Sequence, residues 1–112
     1  MIKIEAIIRP SRLTALKDAL SLLGVHGMTI LEAGGFGRQR GHKELFRGGE
    51  YEVELIPKLM IVLVTTDGMA PNIVGKIKEV CYTGEAGDGK IFIYPIGEVI
   101  RIRTGEQGED AL

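Results

Sequence analysis

The sequence predicts an α+β fold in which two helices cover one face of a four-stranded antiparallel sheet. The chain has 112 residues, which suits one domain spanning residues 1–112, and 45% of them are hydrophobic, enough to bury a core. The apolar pattern gives strand–helix–strand twice, in units of about 35 residues, which is typical of a ferredoxin-like βαβ-βαβ sandwich. The alternative is a small parallel α/β sheet, but two helices in so short a chain can cover only one face.

The first unit starts with a strand and continues into an amphipathic helix. Residues 2–8 alternate between apolar and polar side chains except at Ile7, which suggests that the polar face is partly covered, and Pro10 ends the strand because it cannot donate to a ladder. Ser11 is the predicted N-cap of the helix, and Gly24 suits the left-handed position after it. The second strand runs into Gly34-Gly35. The apolar stripe of the helix consists of Leu13, Leu16, Leu20 and Leu23.

A long polar segment separates the two units, from Gly37 to about Lys58. Charged residues dominate this segment and no apolar period is sustained, which predicts an exposed loop between strands 2 and 3. Connections of this length in a compact domain are usually functional or disordered.

The second unit begins with the apolar run Leu59–Val64, which predicts a strand that is covered on both faces. Thr66-Asp67 offers a helix cap, and Pro71 suits the first helical turn. The buried side of this helix is marked by Ile73, Ile77 and Cys81.

The last strand is predicted over Lys90–Tyr94, where Pro95 stops it. A short charged C-terminal segment, residues 98–112, contains one patterned piece, Val99–Arg103, which favours an extended chain. The first and third strands carry apolar residues on both sides, and the pattern leaves no further helix to cover the second side. We therefore expect several copies to assemble as a homo-oligomer.

Composition excludes several classes of protein. The formal net charge of -1 provides no global field for nucleic acid or an anionic membrane, and the aromatic share of 5% with no Trp argues against a base-stacking platform. One cysteine excludes an internal disulfide and a cysteine zinc site. The longest apolar run is too short to cross a bilayer, and the start lacks a signal-peptide pattern, so we expect a cytoplasmic protein.

A glycine-rich loop is the first candidate binding feature. Gly84–Ile91 has most of the spacing of a phosphate-binding P-loop, but Ile91 stands where the magnesium-binding Ser or Thr should be, and a strand follows. What remains is a set of glycines beside Lys90 whose backbone N–H groups can converge on an anion. The alternative is a tight helix-to-strand turn with a solvated lysine.

Arginine residues supply two further candidate anion sites. Arg101 and Arg103 are two apart in the piece expected to be extended, so their guanidinium groups should point the same way and match a phosphate. The alternative is a set of exposed ion pairs with Glu106, Glu109 or Asp110. Gly34–His42 combines glycines with two arginines and also suits close approach to a phosphate, with a flexible loop base as the alternative.

Catalysis has little support in the sequence, and we expect a protein that is not an enzyme. There is no nucleophile elbow and no pair of histidines at ligand spacing. Cys81 lies on the apolar helix stripe and is expected in the core. Tyr51 lies in the polar loop, where a modifying enzyme could reach its hydroxyl.

Several segments together resemble the PII nitrogen-regulatory signalling proteins nearly from end to end. The segments that carry the resemblance are Met1–Ile8, Gly27–Thr29, Gly35–His42, Thr83–Ile93 and Arg101–Glu106. Thr83–Ile93 resembles the C-terminal signature of the family without a mismatch.

The resemblance implies a homotrimer of ferredoxin-like subunits that binds ATP or ADP in the clefts between subunits. The residues that would hold the phosphates are Arg38, Gly87, Asp88, Gly89, Lys90, Arg101 and Arg103. The residues that would line the adenosine pocket are Ile7, Thr29, Gly35 and Val64.

The resemblance also implies that 2-oxoglutarate binds beside Mg-ATP. The residues that would serve this effector are Gly37, Gln39, Gly41, Lys58 and Gly87, and Gln39 would also bind Mg²⁺. Residues 37 to about 56 would be the T-loop, the arm that grips partner proteins such as an ammonium channel or the control of glutamine synthetase. Contact with a membrane would be indirect, through a channel partner.

The chain departs from the family pattern at several positions. Tyr51 is present as a candidate uridylylation site, but Phe46 stands where the family usually has tyrosine and Gly49 where it has Ala or Ser. Met60 and Val62 replace residues that are charged in well-known members, and one of those is a ribose contact. An alternative is therefore a specialised regulator of nitrogenase, bicarbonate transport or another pathway, without a 2-oxoglutarate response or Tyr51 modification.

Overall fold

The computed structural model describes residues 1–36 and 55–112, which form four strands and two α-helices. The strands are β1 (Ile2–Ile8), β2 (Thr29–Gly35), β3 (Ile56–Thr65) and β4 (Lys90–Pro95). The helices are α1 (Leu13–Leu22) and α2 (Ala70–Cys81), and short 3-10 turns occupy Pro10–Arg12 and Gly108–Ala111. The element order is the one that the sequence predicts.

The four strands form one sheet in the order β2-β3-β1-β4, and every neighbouring pair is antiparallel. β1 is central, with Ile4 opposite Leu63 on one side and opposite Ile93 on the other. This topology confirms the predicted ferredoxin-like fold. It also places the end of β1 and the starts of β3 and β4 at one end of the sheet, where the candidate loop enters β4.

One face of the sheet packs against both helices and forms the core. The core residues are Ile4, Ala6, Ile8, Leu16, Leu20, Ile61, Leu63, Ala70, Ile73, Ile77 and Cys81. They occupy alternate positions of the strands and every third or fourth position of the helices, so each element turns one apolar side inward. Burial raises the pKa of the Cys81 thiol, which agrees with the predicted core position of this residue.

The opposite face of the sheet carries mixed side chains that no other part of the described chain covers as a layer. Phe92 and Tyr94 are each 41% exposed there. The Tyr94 hydroxyl donates to Glu5 Oε1 at 2.8 Å, and Lys3 Nζ lies 3.1 Å from Glu5 Oε2. These two contacts lower the pKa of Glu5, with the Tyr94 bond as the larger cause. The expectation that other copies cover this face stays a prediction.

The start of α1 differs from the prediction. Ser11 is not the N-cap, because Pro10 begins a 3-10 turn and α1 starts only at Leu13. Within that turn the N–H groups of Arg12 and Leu13 donate to the carbonyls of Arg9 and Pro10, so the backbone itself satisfies donors that a side-chain cap would serve.

The other helix ends follow the sequence more closely. Gly24 adopts a φ of 92°, as predicted for the residue that ends α1. The Thr66 hydroxyl accepts a hydrogen bond of 3.3 Å from the N–H of Met69, just before α2. Asp67 instead pairs with the N-terminal ammonium of Met1 at 2.9 Å.

The C-terminal segment also differs from the prediction, because Val99–Arg103 is not an extended piece. Residues 102–104 form a turn that Gly105 closes, with its N–H donating to the Arg101 carbonyl at 2.8 Å. Gly105 has a φ of 74°, a conformation that glycine adopts without strain. The alternation that would point Arg101 and Arg103 the same way therefore does not apply.

Candidate functional site

The loop between α2 and β4 is built around the carboxylate of Asp88. Asp88 Oδ2 accepts hydrogen bonds from the N–H groups of Thr83 at 2.7 Å and Gly84 at 2.9 Å. Asp88 Oδ1 accepts from the Thr83 hydroxyl and from Arg9 Nε, the latter at 3.1 Å. These donors, led by Thr83, hold the pKa of Asp88 well below its usual range. The loop is therefore closed on an ionised carboxylate.

Glycines allow this loop to lie directly against the end of β1. Gly84, Gly87 and Gly89 have φ values of 88°, 104° and 103°. A Cβ on Gly89 would overlap the carbonyl oxygen of Ile7 and lie 2.8 Å from its carbonyl carbon. Only glycine fits both the conformation and the space at this position.

Two cations from neighbouring strand ends hold the outer side of the loop. Arg9 donates from Nη2 to the Ala86 carbonyl at 3.0 Å, and Lys58 Nζ donates to the Gly87 carbonyl at 2.6 Å. Lys58 is only 7% exposed, and burial, followed by the charge of Arg9, lowers its pKa. Two buried or half-buried cations next to one fully bonded carboxylate leave this end of the sheet positive.

Several residues expected to bind ligands come together at this end of the sheet. Gly87 bonds to Lys58, and a Cβ on Gly35 would lie 3.7 Å from Lys58 Cγ. Lys90 is exposed and pairs in register with Ile7. One group of predicted site residues, Ile7, Gly35, Lys58 and Gly87–Lys90, is thus adjacent within a single chain.

A second group of predicted site residues lies elsewhere in the same chain. Val64 is opposite Lys3, four residues along β1 from Ile7, which is about 13 Å at the usual rise of a strand. Thr29 is opposite Val62, toward the same end. β4 runs away from the loop to Pro95 opposite Ile2, and the segment with Arg101 and Arg103 follows from there. Thr29 and Val64 therefore lie toward the end of the sheet that is opposite the glycine-rich loop.

Five further predicted residues lie outside the described residues. They are Gly37, Arg38, Gln39, Gly41 and Tyr51. The predicted T-loop, residues 37–56, overlaps the described chain only at Leu55 and Ile56, and Ile56 already belongs to β3.

A groove of about 800 Å³ runs beside the loop, between α2 and β4. Its walls are mainly apolar and include Val74, Ile77, Tyr82, Ile91 and Ile93. Gly89 and Lys90 line it as well, so the groove is continuous with the glycine-rich loop.

Sequence reasoning missed the role of Arg9, which binds residues 77 and 79 positions away along the chain. The sequence held a signal for this role. Arg9 directly follows the end of β1, and the glycine-rich loop leads into β4, which pairs with β1, so Arg9 lies beside the loop. The candidate loop was found from its glycines alone, without the arginine that clamps it.

No helix within residues 1–36 and 55–112 has both the length and the apolar character needed to cross a membrane. Among these described residues, no three or more His, Cys, Asp and Glu side chains cluster as a metal site would require.

Comparison with known proteins links this arrangement to one family. A family model described as nitrogen regulatory protein P-II matches residues 1–106. Proteins named nitrogen regulatory protein P-II from Rhodospirillum rubrum and Azospirillum brasilense are 53% and 51% identical to this chain. A protein of the same name from Pasteurella multocida is 51% identical. Each of these alignments covers 100% of both chains.

Proposed function

Because this chain belongs to the nitrogen regulatory protein P-II family, as its motifs predict, we propose that it senses adenine nucleotides and 2-oxoglutarate and regulates partner proteins. ATP or ADP binds with its phosphates at the Gly87–Lys90 loop, and 2-oxoglutarate binds beside Mg-ATP. The segment 37–56 carries the signal to partners such as an ammonium channel or the control of glutamine synthetase. The relatives are named as regulatory proteins, which agrees with a protein that is not an enzyme.

The observation that carries this proposal is the pre-formed loop. Its glycines bring backbone close to any ligand, and Lys90 stands exposed at its edge. The oxygens of Asp88 are already occupied by Thr83, Gly84 and Arg9, and the other acid of the loop, Glu85, is exposed to solvent. A polyphosphate at this place would therefore meet glycine backbone and cations with little carboxylate repulsion.

A second copy would complete the site. Thr29 and Val64 lie toward the sheet end opposite the loop, Arg101 and Arg103 follow the end of β4, and the uncovered sheet face offers a surface for assembly. In a homotrimer each cleft would combine the loop of one copy with the opposite sheet end of the next. The bound nucleotide would then contact both copies at once.

The regulatory step is a shift between conformations of segment 37–56. ATP with 2-oxoglutarate favours one conformation and ADP favours another, to the extent that each ligand binds the two with different affinity. Lys58 is well placed to take part, because it lies at the base of this segment and bonds to Gly87 of the loop.

One observation supports the specialised alternative. Met60 and Val62 lie on β3 opposite Ile7 and Glu5 of β1, at positions that are charged in well-known members of the family, and one of those charged residues is a ribose contact. An apolar side chain there removes a hydrogen-bond acceptor from the site. A regulator of nitrogenase or bicarbonate transport without a 2-oxoglutarate response is therefore the second candidate.

Calorimetry with ATP and with ADP tests nucleotide binding. We expect both to bind, and we expect Arg101→Ala and Arg103→Ala each to weaken binding by about tenfold or more, because each removes a charge-assisted phosphate contact. Lys17→Ala is the matched control, since it removes an exposed cation from α1. The absence of binding by either nucleotide in the unmodified protein would end the proposal.

Titration of 2-oxoglutarate against the Mg-ATP form separates the two candidates. In the main proposal 2-oxoglutarate binds, and Lys58→Met abolishes that binding because it removes the buried ammonium group beside Gly87. ADP affinity measured on the same variant is the internal control, and it should change much less. A protein that binds Mg-ATP but never 2-oxoglutarate would belong to the specialised alternative.

A further inference from the structure

The C-terminal segment contains a tight turn, which we call the arginine turn (residues 101–106), and its backbone is closed by two hydrogen bonds. Arg101 N–H donates to the Glu106 carbonyl at 2.9 Å, and Gly105 N–H donates to the Arg101 carbonyl at 2.8 Å. The residues on either side of the turn also pair through a β-bridge. Arg101 and Glu106 therefore face each other across the base of a closed loop.

The carboxylate of Glu106 is held in place by Thr104. The Thr104 hydroxyl donates to Glu106 Oε1 at 2.9 Å, and the same hydroxyl oxygen accepts from the Glu106 N–H at 3.2 Å. Because one hydroxyl bonds to both the side chain and the backbone of Glu106, it restricts the rotamers of that side chain. The turn thus carries a negative group in a defined position.

This carboxylate faces the guanidinium group of Arg101. Arg101 Nη1 lies 3.6 Å from Glu106 Oε1, and Arg101 Nη2 donates to the carbonyl oxygen of Leu112 at 3.2 Å. The side chains of Arg101 and Glu106 are 41% and 47% exposed, so the guanidinium is held from two sides but solvent still reaches it. A guanidinium has five N–H donors, and these two contacts leave donors for a bidentate phosphate contact.

The other arginine of the turn provides a contrast. Arg103 is exposed, and none of the contacts described above involves its side chain. A long side chain that is free to change rotamer loses conformational entropy when a ligand fixes it, whereas a side chain that is already held loses less. Arg101 is therefore better prepared than Arg103 to bind an anion.

We propose that Glu106 is a positioning residue of the nucleotide site, which fixes the guanidinium of Arg101 for a phosphate group, and that Thr104 in turn fixes Glu106. The phosphate as the ligand of Arg101 rests on the proposed function. The ordering of Arg101 by Glu106 does not, because both side chains belong to one turn of one chain.

The sign of the expected effect follows from two opposing contributions. An acid near a polyphosphate repels it, but the guanidinium lies between Glu106 and a phosphate bound to the remaining donors, and solvent screens the repulsion at this exposed place. Ordering of the guanidinium acts directly on the phosphate contact. Loss of Glu106 therefore weakens nucleotide binding, although it removes a negative charge.

Calorimetry with ADP tests this sign. We expect Glu106→Ala to weaken binding by about two- to fivefold, the range of an exposed ion pair, and Thr104→Val to weaken it by a smaller factor. Glu109→Ala is the matched control, because it removes an exposed carboxylate from the same C-terminal segment, and affinity should stay unchanged or rise slightly. Binding by Glu106→Ala that is as tight as in the unmodified protein, or tighter, would overturn the proposal.

A double-mutant cycle shows whether Glu106 acts through Arg101 or through the general structure of the turn. In an Arg101→Ala background, Glu106→Ala should weaken ADP binding no further. In an Arg103→Ala background, it should weaken binding by the same factor as in the unmodified protein. An equal loss of affinity in both backgrounds would mean that Glu106 does not act through Arg101, which contradicts the proposal.

Nuclear magnetic resonance of the full chain without nucleotide tests the ordering itself. The heteronuclear Overhauser effect at Nε of Arg101 should report an ordered group in the unmodified protein and a mobile group in Glu106→Ala, while Arg103 should be mobile in both. Equal mobility of Arg101 in the two proteins would refute the role of Glu106 even when ADP binds. If ADP and ATP both fail to bind the unmodified protein, the proposed function is refuted, and the role of Glu106 at a nucleotide site is refuted with it.

Discussion

Gly89→Ala is expected to abolish nucleotide binding and to destabilise the fold by about 2–4 kcal/mol. Alanine at a φ of 103° is strained, and its Cβ would overlap backbone atoms of Ile7 in the central strand β1. Backbone atoms of a sheet cannot move aside as the end of a flexible side chain can. Either the loop or the end of β1 must therefore shift, and the proposed phosphate contacts shift with it.

Thermal unfolding and calorimetry with ADP measure the two parts of this result. Gly75→Ala is the matched control, because Gly75 lies inside α2 with no atom within 4 Å of a built Cβ. Alanine there should stabilise the protein by about 1 kcal/mol and leave binding unchanged. If Gly89→Ala bound ADP as the unmodified protein does, the close approach between loop and strand would have no importance for the site.

Asp88→Asn is expected to weaken nucleotide binding by about tenfold or more. The carboxylate accepts from two N–H groups, the Thr83 hydroxyl and Arg9, and an amide presents one oxygen to these four donors. The loop would open although a negative charge has been removed next to a polyphosphate. Simple charge attraction predicts the opposite sign, tighter binding, so the direction of the change decides between the two explanations.

Glu85→Gln is the control for charge, since it removes an exposed carboxylate from the same loop. We expect it to leave affinity nearly unchanged or to raise it slightly, because that carboxylate is screened by solvent. Tighter binding in both variants would show that net charge, and not the hydrogen bonds of Asp88, governs the site.

The pH dependence of stability follows from the lowered pKa of Asp88. A carboxyl group whose pKa is lower in the folded chain stabilises the fold fully above its unfolded value, about 3.9, and loses this contribution as pH falls toward the folded value. The difference in unfolding free energy between the unmodified protein and Asp88→Asn should therefore stay constant from pH 7 to about 5 and shrink only in stronger acid. Thermal unfolding at several pH values checks this, and a difference that shrinks near pH 6 would contradict it.

Local sequence patterns predicted most of the fold. Alternation in residues 2–8 and helical spacing from Ile73 to Cys81 identify buried faces, because a side chain's direction in a strand or helix depends only on its position. The glycines between Gly84 and Gly89 also identified the candidate loop correctly as a place of unusual backbone. Such signals reside in neighbouring residues and need no knowledge of the rest of the chain.

Other features could not be predicted because they depend on contacts between distant residues or on competing local bonds. Ser11 would be a good cap, but the 3-10 turn at Pro10 serves the same donors with backbone carbonyls. Arg101 and Arg103 alternate as in a strand, yet the chain between them forms a turn that Gly105 closes. The pairing of Arg9 with Asp88 joins residues from opposite ends of the chain.

The sequence by itself determined the order of strands and helices, the residues of the core and the membership of the P-II family. Hydrophobic periodicity and the order of motifs depend only on which residues follow one another along the chain. Only the tertiary structure decided that Arg9 and Lys58 clamp the glycine-rich loop while Thr29 and Val64 lie toward the other end of the sheet. The reason is geometric. Register and strand order set which side chains share one end of the sheet, and register is fixed by hydrogen bonds between strands that lie far apart in the sequence.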